Sequence, residues 1–218
     1  METNLLKIKI LMVDDHPIVR YGVAQIVNSQ PDMLLCCEAN NATEAMKAMH
    51  ACSHDLAIID ISLDGASGLD LIPNLINQFP KTSILVMSMH EESIYAERSL
   101  QLGARGYIMK QQAVYNIQTA IRTIINGGIY VSEEMHRLIL ESINSNSFVH
   151  NPISSLTSKE LEVMRLIGQG LGTREISKKL NRSVKTIETH RCNIKVKLSI
   201  KSGTELIRFA AVWDKESR

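Results

Sequence analysis

The chain has 218 residues, 44% of them hydrophobic and 22% charged, with a formal net charge of +1. That is the make-up of a globular protein with room for two modest domains. No apolar stretch reaches membrane-spanning length and Met1-Glu2-Thr3-Asn4 lacks a signal-peptide layout, so a cytoplasmic protein with no membrane partner is expected.

Over the first 130 or so residues strand and helix alternate five times. The run from Ile8 to Val13 ends at Asp14-Asp15, and a helix opens at Pro17 with Val19, Val23, Ile26 and Val27 on one face. A second helix carries Ala42, Ala45, Met46 and Met49. The run from Leu56 to Ile59 ends at Asp60, and a third helix follows with Leu69, Ile72, Leu75 and Ile76. Ser83 to Met87 ends at Ser88. A fourth, less apolar helix from Glu92 to Leu102 is stopped by Gly103. Tyr107 to Met109 ends at Lys110, ahead of a fifth helix marked by Ile117, Ala120, Ile121 and Ile124. Continuous apolar runs separated by helices read as parallel strands buried on both faces.

Past Asn126-Gly127-Gly128 the sequence predicts one further helix, Ser132 to Ile143. A polar stretch then runs from Asn144 through Pro152-Ile153-Ser154-Ser155. The expected organisation is a first domain at 7–127, a linker with a short helix at 128–154, and a second domain at 155–218. Beyond the linker only helices are predicted. Thr157 and Glu160 form a capping box, ahead of Leu161, Met164, Leu166 and Ile167. Gly170-Leu171-Gly172 turns the chain into a short helix from Thr173 to Leu180. After Asn181-Arg182-Ser183, with Ser183 as N-cap, a third helix runs from Val184 to Leu198. The fourth, Ser202 to Trp213, places Leu206, Phe209, Ala210 and Trp213 on one side. Two short helices joined by a tight turn fit a helix-turn-helix, at about 173–192.

Two further features bear on chemistry. Cys36, Cys37, Cys52 and Cys192 make no CxxC pair and no His-rich ligand spacing, so reduced, mostly buried thiols are expected rather than a zinc site or disulfide framework. The small net charge hides a split. Residues 1–150 carry 10 Lys and Arg against 16 Asp and Glu; residues 151–218 carry 14 against 7. One end suits a cation and the other a polyanion.

In parallel sheets the functional crevice lies outside the carboxyl ends of the strands. Asp14, Asp15, Asp60, Ser88 and Lys110 all fall there. Asp60 is the candidate nucleophile, able to form an acyl phosphate. Asp14, Asp15, Asp60 and the backbone carbonyl of Ser62 offer hard oxygens for Mg²⁺. Lys110 and Ser88 offer donors to a phosphoryl group. His16 and His90 lie near the site and are expected to be non-catalytic. In the C-terminal part, Ile187, Ile194 and Leu198 turn one face of the third helix inward. The other face presents Lys185, Glu188, Thr189, Cys192 and Lys195, flanked by Lys178, Lys179, Arg182 and Arg191. Such cations attract phosphates, and Glu188 and Thr189 suit base edges.

The acidic pair, Asp60, Ser88, Tyr107 and Lys110 resemble the response-regulator receiver domain over residues 8 to about 126. The resemblance implies a CheY-like doubly wound five-stranded parallel sheet of order 2-1-3-4-5, Mg²⁺ as cofactor and a sensor histidine kinase as phosphoryl donor. It also implies Tyr107 as a switch residue that rotates when Ser88 is drawn toward phosphorylated Asp60. After Asp60 the family usually has Met-Pro, where this chain has Ile61-Ser62-Leu63-Asp64-Gly65. Leu156 to Glu160, Gln169-Gly170-Leu171, Glu175-Ile176, Ser183 to Ile187 and Thr189 to Ile194 resemble the LuxR-type helix-turn-helix, an all-α four-helix domain. Together the two halves are similar to the NarL/FixJ class of response regulators. That implies a transcription regulator whose phosphorylation promotes homodimerisation and binding to double-stranded DNA, with Leu206 and Trp213 available for dimerisation and Trp213 equally suited to the core. An alternative is a phosphorylation-independent LuxR-type regulator with a degenerate receiver. An aspartyl-nucleophile phosphatase is more remote, because its second acid, two residues after the nucleophile, is here Ser62.

Overall fold

The computed structural model describes residues 7–63, 66–90, 92–144 and 152–216, and the chain divides between Ile139 and Leu140 into two compact units. No helix among the described residues is long and apolar enough to cross a membrane.

The N-terminal unit runs β1 (Ile8–Val13), α1 (Pro17–Asn28), β2 (Met33–Ala39), α2 (Ala42–Ala51) and β3 (Leu56–Asp60). An antiparallel pair of two-residue strands follows, β4 (Ser62–Leu63) and β5 (Ala66–Ser67), and then α3 (Gly68–Gln78), β6 (Ser83–Ser88), α4 (Glu92–Gln101), β7 (Gly106–Met109), α5 (Lys110–Ile125) and α6 (Glu133–Asn144), within which the division between the units falls. The main sheet is parallel with order β2-β1-β3-β6-β7, which is 2-1-3-4-5 when its five strands are counted alone. The apolar runs explain it. Ile10, Met12, Ile58 and Leu85 are buried under Val23 and Val27 of α1 and Ile117, Ala120, Ile121 and Ile124 of α5. Each such side chain contributes about 1.5–3 kcal/mol by leaving water. Gly103 ends α4 at φ +102°, with the Gly103 and Ala104 N–H groups donating to the carbonyls of Leu100 and Ser99.

The linker read at 128–154 is not free along its whole length. The Tyr107 N–H donates to the Tyr130 carbonyl and the Tyr130 N–H to that of Arg105, making a parallel bridge beside β7. Val131 and Met135 are buried, and the Ser132 N–H donates to the Glu92 carboxylate at 2.7 Å. The tie is made by backbone groups, which carry no side-chain signature. The middle of the polar stretch, 145–151, lies outside the described residues. Pro152–Ser155 forms a 3-10 turn with Ile153 buried, where polar composition alone had suggested little structure.

The C-terminal unit is helical: α7 (Ser158–Gly168), α8 (Thr173–Lys179), α9 (Val184–Lys197) and α10 (Gly203–Glu216). The capping box forms as the sequence predicts. Thr157 Oγ1 accepts from the Glu160 N–H and Glu160 Oε2 accepts from the Thr157 N–H at 2.7 Å. Lys197 Nζ reaches the same carboxylate oxygen at 2.6 Å and ties the end of α9 to the start of α7. Leu206, Ala210 and Trp213 of α10 pack into the core, whereas Phe209 is 38% exposed beside Ile207 and Val212. Phe209 lies at the margin of the side it shares with them. Leu206 and Trp213 are core residues rather than a free dimerisation surface, because spacings of four and three turn 206, 210 and 213 together toward α7.

The cysteines are free, as expected, but not mostly buried. Cys36, Cys52 and Cys192 are exposed and Cys37 is half-buried. Cys36 and Cys37 lie on an edge strand and Cys52 at a helix end, so apolar sequence neighbours do not carry them into the core.

Candidate functional site

Parallel register carries the ends of β1, β3, β6 and β7 to one edge. Val13 pairs with Ile59, Asp60 with Met87 and Ser88 with Met109, so Asp14, Asp60, Ser88 and Lys110 emerge together. Asp14 and Ser88 are fully buried and Asp60 nearly so. Lys110 Nζ lies 2.8 Å from Asp60 Oδ2 and 2.7 Å from Asp14 Oδ2. Asp14 Oδ1 accepts from the His16 N–H at 2.8 Å, and the Arg20 guanidinium donates to the Asp14 carbonyl at 2.7 Å. Ligand atoms of Asp14, Asp15, His16 and Asp60 all fall within 4.8 Å of one another.

One cation serves two buried carboxylates here, and the electrostatics follow. Burial pushes the Asp60 carboxyl up to about 6; Asp14 adds to the rise and Lys110 opposes it. Burial acts to lower the Lys110 ammonium, but its bonds to Asp14 and Asp60 prevail and hold it above the ordinary lysine value. Asp14 Oδ2 faces Lys110 Nζ at 2.7 Å and Asp15 Oδ1 faces His16 Nδ1 at 2.6 Å. Three carboxylates crowded at one edge with so little positive charge are costly to bury, and a hard divalent cation satisfies their oxygens. The donor set at this edge therefore fits Mg²⁺.

Two residues matter here beyond those picked out by type and spacing. His90 is a hub. Its N–H donates to Ser88 Oγ, its carbonyl accepts from the Tyr107 hydroxyl at 2.7 Å, and its Nε2 lies 3.0 Å from Ser62 Oγ. Its ring stacks on Tyr95 with centroids 4.9 Å apart. Tyr107 is thus held inward and fully buried, and burial raises its hydroxyl pKa. The position of His90, two residues past Ser88, is the signal in the sequence. Gly68 is the second. A Cβ there would run into the Asp60 carbonyl oxygen, and its N–H donates to the Ile61 carbonyl at 2.8 Å. The segment after Asp60 turns back tightly only because residue 68 lacks a side chain. Met89, directly after Ser88, is 59% exposed. Asp64 and Gly65 lie outside the described residues.

The second candidate site is the surface of α8, its turn and α9. Asn181 adopts φ +49°, and the Arg182 N–H donates to the Ser177 carbonyl while Ser177 Oγ donates to that of Arg182. Ser183 caps α9 by accepting from the Thr186 N–H. Ile187 and Ile194 are buried, which fixes the rotation of α9. Lys185, Glu188, Thr189 and Cys192 are exposed along it, as are Lys178, Lys179 and Arg182; Lys195 and Arg191 are half-buried. Burial lowers the Arg191 guanidinium from its usual range. Thr189 Oγ1 donates to the Lys185 carbonyl at 3.0 Å, so its methyl is the part left for contact.

Comparison with known proteins agrees with both halves. Residues 10–122 match the response regulator receiver domain, and residues 154–210 match the bacterial regulatory proteins of the luxR family. The chain is 36% identical over 208 residues to the oxygen regulatory protein NreC of Staphylococcus carnosus, covering 93% of this chain and 96% of that protein. It is 27% identical to RcsB of Salmonella enterica serovar Typhimurium, solved bound to the promoter rprA in the presence of the phosphomimetic BeF3-. That match covers 94% of this chain and 98% of the other, with a TM-score of 0.67. A LuxR-family two-component response regulator from Aurantimonas sp. is 29% identical, covering 62% of this chain and 97% of its own, with a TM-score of 0.58. A receiver fold with its carboxylates gathered at one sheet edge, joined to a luxR-type helix-turn-helix, makes this chain a member of the response regulators: a phosphorylation-controlled, DNA-binding transcription regulator.

Proposed function

We propose that Asp60 is the phosphoryl acceptor and that its acyl phosphate controls how the chain dimerises and grips DNA. The donor is the phosphohistidine of a sensor histidine kinase. An Asp60 carboxylate oxygen attacks phosphorus, the P–N bond of the donor breaks, and the departing imidazole nitrogen takes up a proton. The observation that carries this reading is Lys110 Nζ held between Asp60 and Asp14 at 2.8 and 2.7 Å, with the Asp15 carboxylate gathered at the same edge. Lys110 is placed to follow the phosphoryl oxygens, and Ser88 to donate its hydroxyl to them. Asp14, Asp15, Asp60 and the Ser62 carbonyl are the groups that would hold Mg²⁺, which supplies neutralising charge for the approach of two anions. Ser88 moving toward the phosphoryl group releases the His90 N–H, and with it the loop whose carbonyl holds Tyr107 inward. The only chemistry assigned to the chain is autophosphorylation and slow self-dephosphorylation.

In this reading the receiver occupies 7–127 and the DNA-binding domain 155–218. The segment 128–154 joins them, and its first residues are tied to β7. Helix α9 enters the major groove of duplex DNA, where Lys185, Glu188, Thr189, Cys192 and Lys195 face base edges and phosphates. Lys178, Lys179, Arg182 and Arg191 line the flanking backbone. The protein works in the cytoplasm. Incubation of the full chain with acetyl phosphate and Mg²⁺, borohydride trapping and peptide mass spectrometry tests the acceptor. A single modified residue, Asp60, is expected; modification elsewhere, or equal labelling of Asp60→Asn, overturns it.

A further inference from the structure

Adjacent residues in a strand ordinarily point to opposite faces of the sheet. Cys36 and Cys37 escape this. In the pairing of β1 with β2, Ile10 partners Leu35 and Leu11 partners Cys37, so Cys36 is the extra residue of a β-bulge. Both thiols thereby approach His54, and the ligand atoms of Cys36, Cys37 and His54 lie within 4.8 Å of one another. Cys52, in extended conformation just past α2, brings its Sγ to 3.3 Å from Cys37 Sγ and 3.8 Å from His54 Nε2. His54 is buried, its Nδ1 has no hydrogen-bond partner, and its carbonyl is held by Thr82 Oγ1 at 2.7 Å. Two stretches of chain, 36–37 and 52–54, thus bring three thiols and one imidazole together, with Cys52 just outside the group of three.

We propose that Cys36, Cys37, Cys52 and His54 form a binding site for one Zn²⁺ ion. Three thiolates and an imidazole are a donor set of structural zinc sites. With Zn–S near 2.3 Å, tetrahedral donors sit about 3.8 Å apart. The observed 3.3 and 3.8 Å from Cys52 to Cys37 and His54 are close to this, and Cys52 Sγ has to close on Cys36 to complete the set. The carboxylate cluster, by contrast, offers mainly hard oxygens, which suit Mg²⁺. His54 lies two residues before the first residue of β3 and Asp60 is its last, so the strand's length separates the two centres. A bound ion clamps the β2 bulge, the end of α2 and the entry to β3, and stabilises the N-terminal unit by mass action.

The test uses the full chain, kept reduced with a phosphine, stripped of metal and titrated with Zn²⁺ against a chromophoric chelator. One ion per chain is expected. Binding is expected to weaken at least 100-fold in Cys37→Ser and in Cys52→Ser and to be unchanged in Cys192→Ser and Asp14→Asn. Wild-type protein gives a reading that does not depend on variants folding. Zn²⁺ is expected to slow iodoacetamide labelling of Cys36, Cys37 and Cys52 at least tenfold and to leave Cys192 unaffected. Equal zinc retention by the serine variants, loss of zinc in Asp14→Asn, or absence of protection would each overturn the site.

Discussion

Asp60 in the N-terminal unit and Glu160 in the C-terminal unit are both almost fully buried, and each has a lysine Nζ within 2.8 Å. Their protons are nevertheless pulled in opposite directions. Burial pushes Asp60 up to about 6. Burial also acts to raise Glu160, yet Lys197 and the Thr157 backbone hold it below the usual glutamate range. Asp60 is the more deeply desolvated of the two, and the number of anions per cation adds to the difference. Lys197 serves one carboxylate, which also accepts a backbone N–H, whereas Lys110 serves two. A buried carboxylate with its full set of partners is a structural joint. One that shares its cation is left able to gain from a further positive charge or from modification, which is where reactivity is found.

Removing Lys110 should break the comparison most severely. Lys110→Ala leaves Asp14 and Asp60 facing each other without a cation, and about 3–5 kcal/mol should be lost from the N-terminal unit. Hydrogen exchange of the β1 and β3 amides measures this, and a loss below about 1 kcal/mol would mean that the carboxylates are better solvated than their burial indicates. Glu160→Ala should cost the C-terminal unit about 2–3 kcal/mol through loss of the cap and of the bond to Lys197. Trp213, the sole tryptophan, reports that unit in urea titrations followed by fluorescence.

Asp60→Asn should act in the opposite sense and stabilise its unit at neutral pH by roughly 1–3 kcal/mol. The same linkage fixes the pH response. The native state binds the Asp60 proton more tightly than the unfolded chain does, so this contribution is present in acid, fades as pH rises from about 4 to about 6, and is flat above. The Glu160 contribution runs the other way: present above the ordinary glutamate value and lost as pH falls through its lowered one. Unfolding followed separately in the two units between pH 3 and 7 should show the two slopes with opposite sign. The smallest effect concerns α9. Lys185→Ala should leave stability unchanged and reduce the slope of log affinity for DNA against log salt by about 1.

The strand runs were legible because burial on both faces forces continuous apolar residues, and each ends at a residue whose chemistry survives in the sequence. The capping box, the Gly103 stop and the buried Ile187 and Ile194 of α9 are local signals and could be read. What stayed hidden depends on backbone paths. The ties of Tyr130 to Arg105 and Tyr107 are made by amides. The gathering of Cys36, Cys37 and His54 depends on a bulge that no residue type announces. Lys197 meets Glu160 across 37 residues, and the inward hold on Tyr107 passes through the carbonyl of His90. Helical spacing groups 209 with 206, 210 and 213, but how deeply each is buried is decided by packing against α7.

The central claim is that charge added at Asp60 changes how the carboxyl-terminal helices hold DNA. Its most direct test is fluorescence anisotropy on a duplex selected from a random library by the beryllofluoride-treated full chain. Beryllofluoride with Mg²⁺ should tighten binding at least tenfold for the wild type and leave Asp60→Asn unmoved. Equal affinity with and without beryllofluoride, or equal tightening of Asp60→Asn, would contradict the account.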